Sequence, residues 1–260
     1  MISGIEHVAA LIQRESGIAL GPTRMPSLAA AVERVAPGLD GASVARAAVK
    51  DRGASGMLAR LIEEVAVNET FFFRHRQELD AIDWSELART ARADGRDSVR
   101  VWSAACASGE EPYTLAMMAC EAYASLTPPV SILASDISRR ALDRARAGIY
   151  RDRSVRLVPD DLRAKHLVAL GDGYGVQPEL RMLVSFQQHN LVSDPVPSAD
   201  AGRFDLIVCR NVLIYFEPDV VTAVLASLER VLAPGGTLLL GTADRLCGSA
   251  FARKAARPQP

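Results

Sequence analysis

A loop of small and acidic residues follows an apolar run at residues 99–104. It spans residues 105–113 and reads ACASGEEPY. Small side chains let a ligand approach the backbone closely, and Pro112 is suited to the first position of a helix. A dinucleotide-binding loop would need three glycines, whereas this loop has only Gly109, and Glu110 and Glu111 would repel a pyrophosphate. The loop therefore favours a cationic or phosphate-free cofactor. The alternative is a tight turn between strand and helix.

Asp136 stands at the end of the next predicted strand, where a carboxylate can accept hydrogen bonds from both hydroxyls of a ribose. The alternative is a structural role, in which Asp136 or Ser138 caps a helix that begins near Arg139. Together with the small-residue loop, the acid indicates a cofactor that carries adenosine without phosphates. S-adenosylmethionine (SAM) is the common cofactor of this kind.

Short apolar runs alternate with helical patterns after the N-terminal region, which is typical of βαβ units and a mainly parallel sheet. We predict strands at residues 99–104, 130–134 and 204–209. A helix over 218–232 is followed by the sequence APGG, which predicts a sharp turn, and by an apolar strand at 237–241. Because ligands bind at the carboxyl ends of strands in such sheets, the loop and the acid are expected to share one edge.

The periodicity of the sequence divides the chain into several parts. Residues 1–80 show helical spacing broken by Gly and Pro, which predicts a small all-α N-terminal domain of about three or four helices. Residues 81–97 are expected to form a linker helix, and residues 98–249 the cofactor-binding domain. Within that domain, 151–189 departs from the alternation and predicts a small β insertion. Residues 250–260 are expected to form a flexible tail. The predicted fold class is α/β and Rossmann-like.

Composition and charge are those of an ordinary globular chain. Of 260 residues 49% are hydrophobic, and 30 basic residues against 31 acidic ones leave a formal net charge of −1. Bulk binding of nucleic acid needs many phosphate-neutralising cations, so we expect no nucleic-acid partner. The 4 cysteines and 4 histidines lack metal-binding spacing, which predicts no metal site. With no signal peptide and no long apolar run, the chain is expected to be cytoplasmic and not inserted into a membrane.

Several short motifs, in order along the chain, resemble those of a known family. They are NETFFFR at 68–74, WSAAC at 102–106 running into SGEEPY at 108–113, ASDI at 134–137, NL at 190–191 and CRNVLIYF at 209–216. In combination they are similar to the CheR family of SAM-dependent methyltransferases, which esterify glutamates of bacterial chemoreceptors. The resemblance implies a Rossmann-like class I methyltransferase domain, with SAM as cofactor, S-adenosylhomocysteine (SAH) as product and the cytoplasmic domain of a chemoreceptor as partner.

The resemblance also implies a role for each matching residue. Arg74 and Tyr215 match the catalytic positions, with Arg74 near the methionine carboxylate and the reacting centre and Tyr215 facing the methyl group. The positions that match cofactor-binding residues are Asn68, Thr70, Arg74, Ala105, Gly109, Glu111, Asp136, Asn190, Leu191, Asn211 and Val212.

The chemistry of these motifs agrees with methylation of a carboxylate. Methyl transfer from a sulfonium is an in-line displacement, for which an enzyme supplies positioning and a dry electrostatic environment. A glutamate carboxylate is already ionised at neutral pH and needs no general base. Taken singly, Arg74 is also compatible with a surface ion pair and Tyr215 with a buried hydroxyl. The aromatic run 71–73 is expected to pack in a core.

Two departures from the family pattern leave alternatives open. The second predicted helix, at residues 26–35, has only Glu33 and Arg34 as charges, whereas the family's helix is strongly basic. A last strand after 237–241 is not apparent, which suggests a piece of a longer parent protein, one that carries a C-terminal helical-repeat domain in some relatives. The alternative functions are a SAM- or SAH-binding regulatory module with little or no turnover and a small-molecule methyltransferase.

Overall fold

A five-stranded parallel sheet forms the centre of the protein. The computed structural model describes residues 4–51, 53, 56–197 and 203–247. Its strands are, in chain order, β1 (Val99–Ala104), β2 (Val130–Asp136), β3 (Ile149–Tyr150), β4 (Leu167–Leu170), β5 (Gly173–Val176), β6 (Val184–Gln188), β7 (Phe204–Cys209) and β8 (Leu232–Leu240). The central sheet has the order β6-β2-β1-β7-β8, and every neighbouring pair is parallel. The carboxyl ends of all five strands therefore lie at one edge.

Helices cover both faces of this sheet because its strands are apolar on both faces. The described helices are α1 (Ile5–Ser16), α2 (Met25–Val35), α3 (Gly41–Lys50), α4 (Met57–Val65), α5 (Arg76–Leu79), α6 (Trp84–Ala93), α7 (Glu110–Ala122), α8 (Arg139–Ala147), α9 (Asp152–Val155), α10 (Asp160–His166), α11 (Pro178–Met182), α12 (Pro218–Arg230) and α13 (Thr242–Cys247). On β1, Val99 and Val101 pack with α6 and α7, whereas Trp102 and Ala104 pack with α12. This alternation with a period of two residues follows from the pleat of the strand.

Helices α1 to α4 form a second hydrophobic core of their own. Each helix buries one apolar stripe, such as Val8 and Ile12 on α1 and Leu61 and Val65 on α4. Asp40 begins α3 by accepting a hydrogen bond from the backbone N–H of Ser43 at 2.7 Å. The N-terminal helices expected from the sequence are thus present.

The chain between the two cores is anchored in the core of the sheet. Phe72, Phe73 and Leu79 are buried there together with residues of α6 and α7. The Phe72 ring meets Tyr150 edge-on with 4.9 Å between centroids, and its backbone N–H donates to the carbonyl of Ser154 at 3.0 Å. The segment that leads from α4 to the sheet is therefore held by side-chain packing as well as by backbone hydrogen bonds.

A small antiparallel sheet, β3-β5-β4, lies between α8 and α11 in the sequence. It is the small β insertion predicted for this region. Its Tyr150 and Val176 are buried in the core of the central sheet. Strand β6, which lies within the predicted range 151–189, pairs instead with β2 of the central sheet.

Two local predictions were wrong. Helix α7 begins at Glu110 rather than at Pro112, because Gly109 ends the preceding loop at a φ of +92°. The APGG sequence belongs to β8, where a register irregularity between Phe204 and Leu206 absorbs it. The predicted tail at 250–260 lies outside the described residues.

Candidate active site

A deep cleft lies at the carboxyl edge of the central sheet, where helices α1 to α4 face the sheet. It encloses about 1000 Å³, including the part open to solvent. Its walls come from the loops after β1, β2, β6 and β7, from the chain between α1 and α2, and from the chain after α4. This is the edge at which open α/β sheets bind their ligands.

The cleft brings together the residues that the motifs predicted, with one exception. Its lining includes Asn68, Thr70, Arg74, Ala105, Glu111, Asp136, Asn190, Leu191, Asn211, Val212 and Tyr215. Gly109 is absent from this lining. A side chain there would meet the Cβ of Ala145 at 2.7 Å and the hydroxyl of Tyr150 at 3.0 Å. Gly109 thus permits close packing of the loop against α8.

The carboxylate of Asp136 is fixed at the end of β2 by two backbone groups. Its Oδ2 accepts from the N–H of Ala107 at 2.8 Å, and its Oδ1 accepts from the N–H of Ser138 at 2.8 Å. Ser138 itself caps α8 by accepting from the N–H of Ala141. A carboxylate has about four acceptor sites, so lone pairs remain for the two hydroxyls of a ribose. Burial raises the pKa of Asp136 to about 6.

Glu111 holds a second carboxylate at the same edge. Its Oε1 accepts from the hydroxyl of Ser103 at 2.8 Å, and its Oε2 accepts from Nη1 of Arg210 at 3.0 Å. Burial raises the pKa of Glu111, and the neighbouring Arg210 opposes that shift. This arrangement presents an oriented acid to the cleft, as a cationic ligand requires.

Arg210 connects several parts of the site. Its guanidinium donates to Oε2 of Glu78 at 2.8 Å, to Glu111 and to the backbone carbonyl of Arg74 at 2.6 Å, and its side chain is only 2% exposed. Arg210 was not among the predicted site residues, although its neighbour Asn211 was. A charged residue directly after the buried strand β7 was the available signal.

Two arginines and one acid, Glu69, line the cleft from the N-terminal part of the chain. Arg74 donates from Nη1 to the carbonyl of Glu69. Arg24, which the sequence analysis missed, donates to the carbonyl of Val65 at 2.5 Å, and its guanidinium carbon lies 5.8 Å from the centroid of the Tyr215 ring. The sheet side of the cleft thus holds the acids Asp136 and Glu111, the second of which is paired with Arg210. Arg24, Arg74 and the exposed Glu69 lie on the other side.

The three consecutive phenylalanines divide between core and cleft. Core packing is confirmed for Phe72 and Phe73. It was wrong for Phe71, which lines the cleft. The guanidinium carbon of Arg156 lies 3.9 Å from the centroid of the Phe71 ring, and that of Arg74 lies 5.8 Å from it.

The loop after β6 joins the sheet to α1. Asn190 donates from Nδ2 to the carbonyl of Glu15 at 2.8 Å and accepts from the N–H of Val192 at 3.0 Å. The neighbouring His189, which the sequence analysis did not single out, contacts the carbonyl of Pro195 through Nε2 at 3.2 Å. Burial lowers the pKa of His189, which favours the neutral imidazole.

The loop after β7 is attached to the helical region as well. Residues Leu213–Tyr215 form a 3₁₀ turn, and the carbonyl of Tyr215 accepts from the N–H of Ala19 at 2.8 Å. Ile18 and Phe216 form an antiparallel bridge beside this contact. The backbone of Tyr215 is therefore fixed both by its own 3₁₀ turn and by the chain after α1.

Neither a metal-ligating cluster nor a membrane-spanning helix was found in the part of the chain that the structure describes. No three His, Cys, Asp or Glu side chains of these residues are grouped as a metal site. Within the same residues, no helix is long and apolar enough to cross a bilayer.

Burial raises the pKa of the Cys106 thiol, which lines the cleft, well above its ordinary value.

The parallel sheet, the acid at the end of β2 and the cleft at the carboxyl edge are those of a Rossmann-like α/β domain that binds a ligand. A family model described as "CheR methyltransferase, SAM binding domain" matches residues 68–256. The chain belongs to this family, and it is a SAM-dependent methyltransferase.

Several curated proteins are similar to this chain. The "Chemotaxis protein methyltransferase" of Listeria monocytogenes is 37% identical over 194 residues, which cover 75% of this chain and 71% of the relative. "Chemotaxis protein methyltransferase 1" of Vibrio cholerae is 37% identical over 192 residues, which cover 72% and 68%. An "Uncharacterized 104.1 kDa protein in hypE 3'region" of Rhodobacter capsulatus is 34% identical over 197 residues, which cover 73% of this chain and 20% of that protein.

Proposed function

We propose that the protein transfers the methyl group of SAM to glutamate side chains on the cytoplasmic domain of a chemoreceptor, forming glutamyl methyl esters and SAH. The observation that carries this proposal is the arrangement of charge in the cleft. Asp136 and Glu111 lie on the sheet side, where a cationic cofactor would lie, and Arg24 and Arg74 enter from the N-terminal part of the chain, where an anionic acceptor would arrive. The names of the relatives support a role in chemotaxis.

On the cofactor side, the residues present fit SAM. Asp136 would accept the ribose hydroxyls, and Glu111 would face the amino group of the methionine portion. Asn190 and Leu191 would flank the adenine. When bound, SAM supplies an electrophilic methyl group on a sulfonium, so buried acids nearby would favour its positive charge.

The remaining predicted cofactor-binding residues stand on loops that line the cleft. Asn211 and Val212 would line its path after β7, and Ala105 would let it approach the backbone after β1. Asn68 and Thr70 would reach it from the chain after α4. Their common placement in one cleft supports these roles.

On the acceptor side, the chain needs to orient a carboxylate rather than to remove a proton. The carboxylate is ionised at neutral pH, so its oxygen forms the new bond to the methyl carbon as the carbon–sulfur bond breaks and its electron pair stays on sulfur. We assign to Arg74 the charge that draws in and orients acidic groups, and to Tyr215 the wall beside the methyl path.

The domain limits suggested by the sequence are also proposed. Residues 1–80 would form the helical domain, 81–97 a linker and 98–249 the catalytic domain, with 151–189 as its insertion. The match to 20% of the length of the 104.1 kDa relative supports the idea that a unit of this kind also occurs within longer proteins.

A radiolabelled methyl-transfer assay on cytoplasmic fragments of chemoreceptors tests the proposal. We expect label on the receptor that is released as methanol by alkali, because carboxyl methyl esters hydrolyse under those conditions. Arg74→Ala and Asp136→Ala should each abolish the transfer, whereas Arg14→Ala on the exposed face of α1 should not. Calorimetric binding of SAM without transfer of label would contradict the proposal and favour a regulatory module instead. Label found only in small molecules would contradict it as well.

A further inference from the structure

The carboxylate of Asp244 is fully buried beside the loop that follows β7. It lies in the first turn of α13, directly after the last described strand, and its residue is 0% exposed. Its Oδ2 accepts from the N–H of Asn211, and its Oδ1 accepts from the N–H of Val212 at 3.1 Å and of Leu213 at 2.9 Å. A longer contact of 3.4 Å reaches the N–H of Ile214. One side chain thus gathers four consecutive backbone N–H groups.

The loop that contains these four amides borders the active-site cleft. Asn211 and Val212 line the cleft, and Tyr215 follows directly in the same 3₁₀ turn. Asn211 has a φ of +58°, a left-handed conformation that side chains other than glycine adopt infrequently. Such a conformation persists where the surroundings hold it. The Asp244 carboxylate supplies that support.

Gly241 makes the close approach of this carboxylate possible. A Cβ at Gly241 would lie 2.5 Å from Oδ2 of Asp244 and 3.4 Å from the backbone nitrogen of Asn211. A side chain at this position would therefore push the carboxylate away from the loop.

The turn that carries Asp244 is also fastened to the charged network of the site. Glu78 accepts from both the N–H of Thr242 at 2.7 Å and its hydroxyl at 2.5 Å, and its other oxygen accepts from Arg210. Burial raises the pKa of Glu111 and of Cys209, and the nearby charge of Asp244 adds to both shifts. The start of α13 is thus linked through Glu78 to the site residue Arg210, which also binds Glu111.

We infer that Asp244 is a positioning residue for methyl transfer. It shapes the loop 211–214 and thereby places Asn211, Val212 and Tyr215 against the cofactor and the methyl path, without touching either ligand itself. Asp244 lies 33 residues beyond the first amide that it binds, so this support comes from a separate element of the fold.

Isothermal titration of the full chain with SAH tests the inference. Asp244→Asn keeps the size of the side chain but replaces one acceptor oxygen by an amide that donates, so part of the loop loses its partner. We expect the Kd for SAH to rise about tenfold, the equivalent of one charge-assisted hydrogen bond. The matched control is Asp219→Asn, an exposed acid in the first turn of α12, for which the Kd should stay at the wild-type value.

A second variant and a second measurement keep the test decisive. Gly241→Ala displaces the carboxylate without changing its charge, and it should weaken SAH binding in the same direction. Hydrogen exchange should show slow amides at 211–214 in the wild type and fast ones in both variants. A merely structural role would lower Tm and the number of binding sites per molecule but leave the Kd unchanged. That result, or unprotected amides in the wild type, would overturn the inference.

Discussion

The carboxylate of Glu63, on α4, accepts a hydrogen bond of 2.9 Å from the hydroxyl of Ser138, the residue that caps α8. It also accepts from the backbone N–H of Arg139 at 2.5 Å and of Arg140 at 3.3 Å. A negative charge at the N-terminus of a helix is favourable, because the first N–H groups lack partners within the helix. The N-terminal helices thus complete the cap of a helix that begins directly after Asp136.

Glu63→Gln is expected to lower the free energy of unfolding by about 1–2 kcal/mol, because the neutral amide weakens several hydrogen bonds at the start of α8. Chemical denaturation measures this change. The neighbouring Glu64→Gln is the control, since Glu64 pairs with the exposed Arg34 and Arg140. Its loss should cost less than about 1 kcal/mol. Equal effects of the two changes would contradict the capping role.

Asp136→Asn is expected to weaken SAH binding by about 100-fold. The amide retains the size of the side chain but turns one acceptor into a donor, so the ribose hydroxyls and the N–H of Ala107 can no longer all be satisfied. Calorimetry with SAH measures the loss. Asp143→Asn, on the exposed face of α8, provides the comparison and should bind like the wild type. Unchanged affinity in Asp136→Asn would refute the ribose assignment.

The affinity for SAH should rise with pH between about pH 5 and pH 7. Burial raises the pKa of Asp136 from the ordinary 3.8 to about 6, and only the ionised form accepts from both hydroxyls. The effect on stability has the opposite sign, because folding favours the protonated form. That stabilisation is full below pH 3.8 and is lost as the pH rises through 6. Titrations at several pH values should show a flatter profile in Asp136→Asn.

Arg210→Lys is expected to destabilise the protein by about 2–4 kcal/mol and to reduce methyl transfer. A lysine retains the charge but lacks the fork that reaches Glu78, Glu111 and the carbonyl of Arg74 together. Thermal unfolding and initial rates measure the two effects. Arg230→Lys, near the exposed end of α12, is the control, since its guanidinium contacts only Ser227 among the described residues. Similar Tm values for both variants would contradict the expectation that Arg210 stabilises the site through its three hydrogen bonds.

Gly109→Ala is expected to cost more stability than Gly95→Ala. Both glycines have positive φ, +92° and +72°, so each substitution strains the backbone by about 1 kcal/mol. At Gly109 the new methyl also meets Ala145 at 2.7 Å, whereas nothing lies within 4 Å at Gly95. The difference between the two Tm values measures the cost of packing the new methyl group against Ala145. Equal Tm values would contradict the prediction.

Four of the five strands of the central sheet could be predicted because they are locally encoded. Strand β7, at Phe204–Cys209, is buried at every position and matches its predicted limits. The start of α7 was missed because Pro112 is suited to an early helical position, and the sequence does not show that Gly109 turns the chain sooner. The strand limits near APGG depend on pairing with β7, which is a tertiary property.

The site residues that belong to short sequence motifs could be predicted. Those whose role depends on partners far away in the sequence could not. Asp136 and Glu111 stand in short motifs beside predicted strands, and the cleft includes both. Arg210 acts through Glu78 and Glu111, which lie 132 and 99 residues away. Arg24 enters the cleft from a turn before α2 whose surroundings carry little charge. No local pattern distinguishes Arg24 from an arginine in contact with solvent, whereas Arg210 is marked only by its position directly after β7.

The bridge between Ile18 and Phe216 joins the chain after α1 to the loop after β7, so the N-terminal helices and the sheet are connected beside the cleft. Since both contribute walls to this cleft, a ligand that contacts both would stabilise the arrangement seen in the structure. A protein that grips only the helices and favours the same arrangement would then raise the affinity for the cofactor, and the cofactor would raise the affinity for that protein by the same factor. Occupancy of the cleft and recruitment of a partner are in this way reciprocal.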